Sequence, residues 1–141
     1  MAVNKKVLVG ILMGSASDAE TMAETEKILK ENKIPYEINV LSAHRNPDEV
    51  RKYAKGAEKR GVKILICGAG MAAALAGVVS SHTVLPVIGV PIETKSLKGM
   101  DSLLSTVQMP GGVPVACMAI GKAGAKNAAI FAVRLLKTFK K

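Results

Sequence analysis

Five short runs rich in Val, Ile and Leu recur along the chain, each followed by a longer stretch with helical spacing. They are VLVGILM at 7–13, YEINVL at 36–41, KILIC at 63–67, VLPVIGV at 84–90 and VPVACMAI at 113–120. The first is apolar without a break, which is the pattern of a strand covered on both faces. No hairpin signal joins one run directly to the next. Five β-α units of this kind predict an α/β fold, with a parallel sheet and helices on both of its faces.

The stretches between the runs carry their own start signals. The pattern predicts a first helix over 18–32, with Ser17 and Glu20 spaced as a capping box. The second begins with Asn46 as N-cap and Pro47 at the first position, followed by Asp48 and Glu49. Its core face is Val50, Tyr53, Ala54 and Ala57. Residues 71–82 predict a helix of small residues and 99–107 a short one. In the last helix Ala128, Phe131, Ala132, Leu135, Leu136 and Phe139 fall at core spacing, and its terminal lysines suit the negative end of the helix dipole.

A length of 141 residues suits one domain spanning 1–141, and no linker, repeat or low-complexity segment divides it. Apolar residues make up 49% before the 13 Gly are counted. Counting those Gly and setting the two Tyr aside raises the share to about 57%, above the ~45–50% of an ordinary domain, so a disordered chain is excluded. The excess hints at surface buried against copies of the chain. The net charge of +9 comes from scattered cations, with mild clusters at Lys5–Lys6 and Lys137–Lys141. Four aromatic residues in separate segments form no stacking platform for a single strand, so nucleic acid is not expected; the cations read first as a solvated surface and second as attracting small anionic substrates. Cys67 and Cys117 are too few for a disulfide framework or a four-ligand zinc site, and read as two buried, reduced thiols. No His, Cys, Asp and Glu cluster at ligand spacing, so neither a metal nor a cofactor is expected.

Two stretches imitate membrane signals. Residues 1–17 resemble a weak signal peptide, but their apolar core is at the short limit. Residues 64–92 lack Lys, Arg, Asp and Glu and are long enough to cross a bilayer. Ser80, Ser81, His82 and Thr83 interrupt them, and Pro86 and Pro91 come after. Strand, helix and strand explain them better, and the expectation is a soluble cytoplasmic protein without membrane contact.

In open parallel sheets ligands bind beyond the carboxyl ends of the strands, so the loops there are the candidates. The first is Gly14-Ser15-Ala16-Ser17-Asp18, two hydroxyls ahead of a helix whose free N–H groups favour an anion. It has neither the Gly-Lys-Ser/Thr of a phosphate loop nor the glycine spacing of a dinucleotide site. The second is Ser42-Ala43-His44-Arg45-Asn46-Pro47. His44 is suited to acid–base work near neutral pH, and Arg45 to a bidentate grip on phosphate or carboxylate. The third is Gly68-Ala69-Gly70-Met71-Ala72-Ala73-Ala74, whose bare backbone leaves room for a carboxylate or a flat ring. Ligand-free helix caps at the first two loops, and close helix–sheet packing at the third, are the alternative readings. The segments 91–95, 101–105 and 108–112 are polar or Gly-rich and their chemistry alone assigns them no role. His82 reads as a helix-terminal surface residue, and no Ser-His-Asp set is visible. The residues suit a small phosphorylated substrate.

GSASD, SAHRNP, GAGMAA, VIGVPIETKSLKGMDSLLSTVQMPGGVPV and GKAGAKNAAI occur in that order over almost the whole chain. The sequence closely resembles the PurE family of purine biosynthesis. The resemblance implies a flavodoxin-like three-layer sandwich, strand order 2-1-3-4-5, assembled as a homo-octamer with sites near subunit interfaces. One branch of the family moves a carboxyl group of N5-carboxyaminoimidazole ribonucleotide from the exocyclic nitrogen to C4. The other carboxylates aminoimidazole ribonucleotide directly with CO2. SAHR and GAGMAA resemble the mutase branch. By position, Ser15, Ser17, Asp18 and Arg45 would hold the ribose phosphate part, and His44 would shuttle the proton. Ser42 joins the binding set. The loop with Gly70, Met71, Ala72, Ala74 and Leu75 would surround the ring and the mobile carboxyl. The resemblance also implies coupling to an ATP-dependent carboxylating enzyme of the same pathway. Ala74 stands where the mutases commonly carry an active-site His. That departure keeps open a nucleotide-binding homologue with impaired catalysis.

Overall fold

The structure, a computed structural model, describes residues 6–140. Five strands form one all-parallel sheet in the order β2-β1-β3-β4-β5. They are β1 (Val9–Met13), β2 (Tyr36–Val40), β3 (Ile64–Gly70), β4 (Val87–Ile92) and β5 (Ala116–Cys117). The helices are α1 (Ala19–Glu31), α2 (Pro47–Ala57), α3 (Leu75–Ser81), α4 (Met100–Val107) and α5 (Lys122–Thr138). The result is the flavodoxin-like α/β sandwich that the resemblance implies. Among the described residues no helix is long and apolar enough to cross a membrane. Lys5 and Lys141 of the two lysine clusters lie outside the described residues.

Alternation along the strands builds two cores, one on each face of the sheet. Val9, Ile11, Met13, Ile64, Ile66, Ile88 and Val90 pack with Met22 and Leu29 of α1 and the alanines of α5. Leu12, Leu65, Cys67 and Val87 face the other way, against Val50, Ala54, Ala57, Leu75 and Val79. The α5 face that meets this first core is Ala125, Ala128, Ala129 and Ala132, all fully buried. Small side chains let α5 lie close to α1, where the Thr25 hydroxyl donates to the Ala125 carbonyl at 2.7 Å. The edge strand β2 is tied to α2 and the turn after it: Tyr53 Oη and Arg60 Nη2 each donate to Glu37 Oε1 at 2.7 Å. The Arg60 hydrogen bond holds the Glu37 carboxyl below its ordinary pKa.

Several expectations are corrected. The capping box is Ser15 with Asp18, not Ser17 with Glu20. A short 3-10 turn at Ala16–Asp18 precedes α1 and moves the cap two residues earlier. Asn46 precedes α2, but its side chain caps nothing; its Oδ1 instead accepts from the Ser42 N–H at 3.4 Å. β3 continues through Gly68, Ala69 and Gly70, which pair with Val90, Pro91 and Ile92, so α3 starts only at Leu75. β4 runs later than its apolar run suggested, and β5 shrinks to two residues. Phe131 and Phe139 are exposed rather than in the core, because α5 turns its alanines inward. Cys67 is buried but Cys117 only partly so.

Candidate active site

The carboxyl ends of β1, β2, β3 and β4 converge on one cavity of about 400 Å³, within the range of small-molecule sites. Each wall is set by how the chain leaves its strand. After β1, the Gly14 N–H still donates to the Gly68 carbonyl at 3.1 Å. Ser15 comes next in extended backbone and caps the 3-10 turn. Its Oγ accepts from the Ser17 N–H at 3.3 Å and lies 3.0 Å from the Ser17 Oγ. Its own N–H donates to Asp18 Oδ2 at 3.0 Å. Asp18 is buried, and burial raises its pKa, against the lowering effect of the Ser15 N–H. This wall thus offers two hydroxyls and one sequestered carboxyl.

After β2, a tight turn presents the opposite wall. The Arg45 N–H donates to Ser42 Oγ at 3.1 Å and the Asn46 N–H to the Ser42 carbonyl at 2.8 Å. Ser42 therefore holds the backbone while His44 and Arg45 stay exposed. Among the described residues the ion pairs are Arg51–Asp48, Arg60–Glu37 and Lys122–Glu20, and none of them engages the Arg45 guanidinium. It is free to take an anion from outside with two parallel hydrogen bonds.

The third wall has almost no side chains. A Cβ on Gly70 would lie 3.1 Å from Thr94 Cγ2 and 3.2 Å from the Ile92 carbonyl oxygen, so glycine there lets the end of β4 approach. Met71 is next, with φ 56. Ala74 sits at the N-cap position of α3 and contributes only a methyl group.

Every residue nominated from the sequence lines this one cavity: Ser15, Ser17, Asp18, Ser42, His44, Arg45, Gly70, Met71, Ala72, Ala74 and Leu75. Gly14, Ala43 and Ala69 of the three candidate loops line it too, and so does Thr94, from the segment 91–95 to which the sequence assigned no role. Thr94 comes after β4 as Ser15 comes after β1, a hydroxyl just past a strand end, and that position was its signal. His82 lies elsewhere, beside Lys55, Glu58 and Thr83. Cys67 is in the core, and burial pushes its thiol pKa up. Among the described residues no group of His, Cys, Asp and Glu is arranged to hold a metal ion.

A cation, several hydroxyls, an imidazole and a loop nearly bare of side chains thus line one cavity. Residues 8–141 match the family described as AIR carboxylase. The chain belongs to that family. Within the AIR carboxylase family it is 58% identical over 132 residues to the N5-carboxyaminoimidazole ribonucleotide mutase of Bacillus subtilis, covering 94% of this chain and 82% of that protein. The protein of that name from Pyrococcus horikoshii is 57% identical over 133 residues, covering 94% and 74%. The crystal structure of Treponema denticola PurE superposes with a TM-score of 0.84 at 33% identity, covering 94% of this chain and 82% of that one.

Proposed function

We propose that the chain is an N5-carboxyaminoimidazole ribonucleotide mutase, moving a carboxyl group from the exocyclic nitrogen to C4 of the aminoimidazole. The observation that carries this reading is the meeting of His44 and Arg45 with Ser15, Ser17 and Asp18 in one cavity. It stands in a chain 58% identical to a protein of that name. Arg45 and the two serines grip the phosphate, Asp18 accepts from the ribose, and the loop 68–75 receives the ring. Decarboxylation breaks the bond from the exocyclic nitrogen to the carboxyl carbon, and that nitrogen takes a proton. C4 then attacks the released CO2 and gives up its own proton. His44 serves both transfers, since an imidazole gives and takes a proton near neutral pH. CO2 must stay beside C4 throughout, so exclusion of water is part of the catalysis.

Ala74 favours a slower version of this chemistry, because its methyl offers the migrating carboxylate no hydrogen bond. The family's description favours a second reading, direct carboxylation of aminoimidazole ribonucleotide with CO2. The test is conversion of N5-carboxyaminoimidazole ribonucleotide by pure protein, monitored spectroscopically with nonenzymatic decay subtracted. Formation of the C4 carboxylate without added bicarbonate supports the mutase. Product formed only from aminoimidazole ribonucleotide plus bicarbonate replaces the mutase with the carboxylase, and binding without turnover leaves a nucleotide-binding homologue.

The lability of a carbamate substrate calls for an ATP-dependent carboxylating enzyme nearby in a cytoplasmic pathway. A homo-octamer is proposed as the working form. Leu97, Met100, Leu104 and Val107 form an exposed apolar stripe on and before α4, and Ile38 and Val40 are exposed on β2. Light scattering is expected to give a particle several times the 14.7 kDa of one chain, and a stable monomer would reject the assembly.

A further inference from the structure

Met71 is the one long side chain in the stretch 68–74, where every other residue is Gly or Ala. Its backbone is left-handed, φ 56, a region that an unbranched side chain enters only with strain and that glycine enters freely. Among the described residues two other non-glycine residues share this positive φ, for local reasons. Lys33 lies just past the end of α1, where a left-handed residue closes a helix. Lys98 lies in the turn leading to Gly99 and α4. Met71 closes no helix. Nor does it fill the core, for it is 64% exposed at the rim of the cavity. Neither backbone geometry nor burial accounts for a methionine here, and what remains is its place in the lining of the cavity.

We propose that Met71 is the closing side chain of the substrate site, folding over the outer face of the bound aminoimidazole ring. This inference rests on the mutase reading of the cavity. The chemistry suits the residue. A thioether on three rotatable bonds adapts to a flat ring, and sulfur packs favourably against an aromatic system. Apart from Leu75, the rest of this wall is methyl groups and backbone, so Met71 is the side chain with the reach to cover the ring. Once the carbamate has split, with the exocyclic nitrogen protonated, CO2 has two fates. It is captured by C4, whose proton then leaves, or it escapes and free aminoimidazole ribonucleotide departs. Met71 biases the outcome towards capture.

Two variants separate this role from backbone strain. Met71→Ala removes the side chain and keeps a non-glycine residue at φ 56, whereas Met71→Gly removes side chain and strain together. Both are expected to raise the fraction of substrate released as free aminoimidazole ribonucleotide several-fold over the parent. Both are also expected to weaken calorimetric affinity for that compound by about tenfold, the size of a lost apolar contact. Met71→Gly is expected to melt above Met71→Ala while sharing its leak. Unchanged product partition and affinity in both variants overturn the proposal. So does parental partition in Met71→Gly alone, since strain would then be the whole effect. A parent chain without turnover removes the mutase reading, and affinity alone then decides the role of Met71, with equal or absent binding rejecting it.

Discussion

Asp18 sets the binding function of the first loop against the stability of the fold. Its carboxyl is buried, and its Oδ2 accepts the Ser15 N–H at 3.0 Å as half of a capping box. Asp18→Ala deletes that half of the box, one hydrogen bond of about 1 kcal/mol, or roughly 4 °C in melting temperature for a domain of this size. Asp18→Asn keeps an oxygen for the Ser15 N–H and removes the buried charge. Burial raises the folded-state pKa above the 3.8 of the free group, so the unfolded chain ionises first. Between the two pKa values the folded state binds more protons, and stability is lost as pH rises through the folded value. The parent carries that penalty at neutral pH and Asp18→Asn does not. Urea denaturation of both proteins from about pH 3 upward is therefore expected to show the asparagine variant gaining on the parent as pH rises through this window, then a constant gap. Calorimetry on the same samples is expected to show weaker nucleotide binding. A gap that stays flat from the lowest pH, or that closes with rising pH, would refute the assignment of the raised pKa to burial of this carboxyl.

Arg45→Ala is expected to weaken nucleotide binding by about 10- to 150-fold, the value of a charge-assisted hydrogen bond. Lys59→Ala, an exposed lysine away from the cavity, leaves it unchanged, and equal calorimetric affinities would rule out the phosphate grip. His44→Asn is expected to bind substrate and lose nearly all turnover; half-retained activity in steady-state kinetics would reject the proton shuttle. Ala74→His, at the N-cap of α3, is expected to raise turnover by a similar factor of about 10 or more through a hydrogen bond to the migrating carboxylate. Unchanged kcat in a folded variant would show that the pocket has adapted to alanine.

The strand order came from the resemblance, whereas the place of the cavity was legible in the pattern itself, because a parallel sheet leaves few choices. Once five β-α units are recognised, the loops after the strands share one end of the sheet, and His44, Arg45, Ser15 and Asp18 meet there without further information. The pattern concealed mostly those places where side chains are small. Periodicity does not register Gly68-Ala69-Gly70, so by pattern β3 stops at Cys67. On α5, Phe131 outweighs Ala129 in any reading by hydrophobicity. Close packing of α5 on α1 favours the smaller residue, which is a tertiary constraint. Ser15 and Ser17 both fit a cap, and only the 3-10 turn decides between them. Thr94 needs β4 to be adjacent to β3 before its hydroxyl has a place in the site.

The all-parallel sheet also sets where an optical reporter can be placed. The strands enter at one edge of the molecule and deliver all of their chemistry to the other, and β3 alone, at seven residues, separates the two by about 20 Å. The chain contains no Trp, so a single introduced indole would fluoresce without background. At Leu136, packed beside the core near the strand starts, it would track unfolding and remain silent to the nucleotide. At Thr94 it would respond to ligand entry while the fold stays intact. One scaffold thus supplies two independent spectroscopic channels, one for folding and one for occupancy.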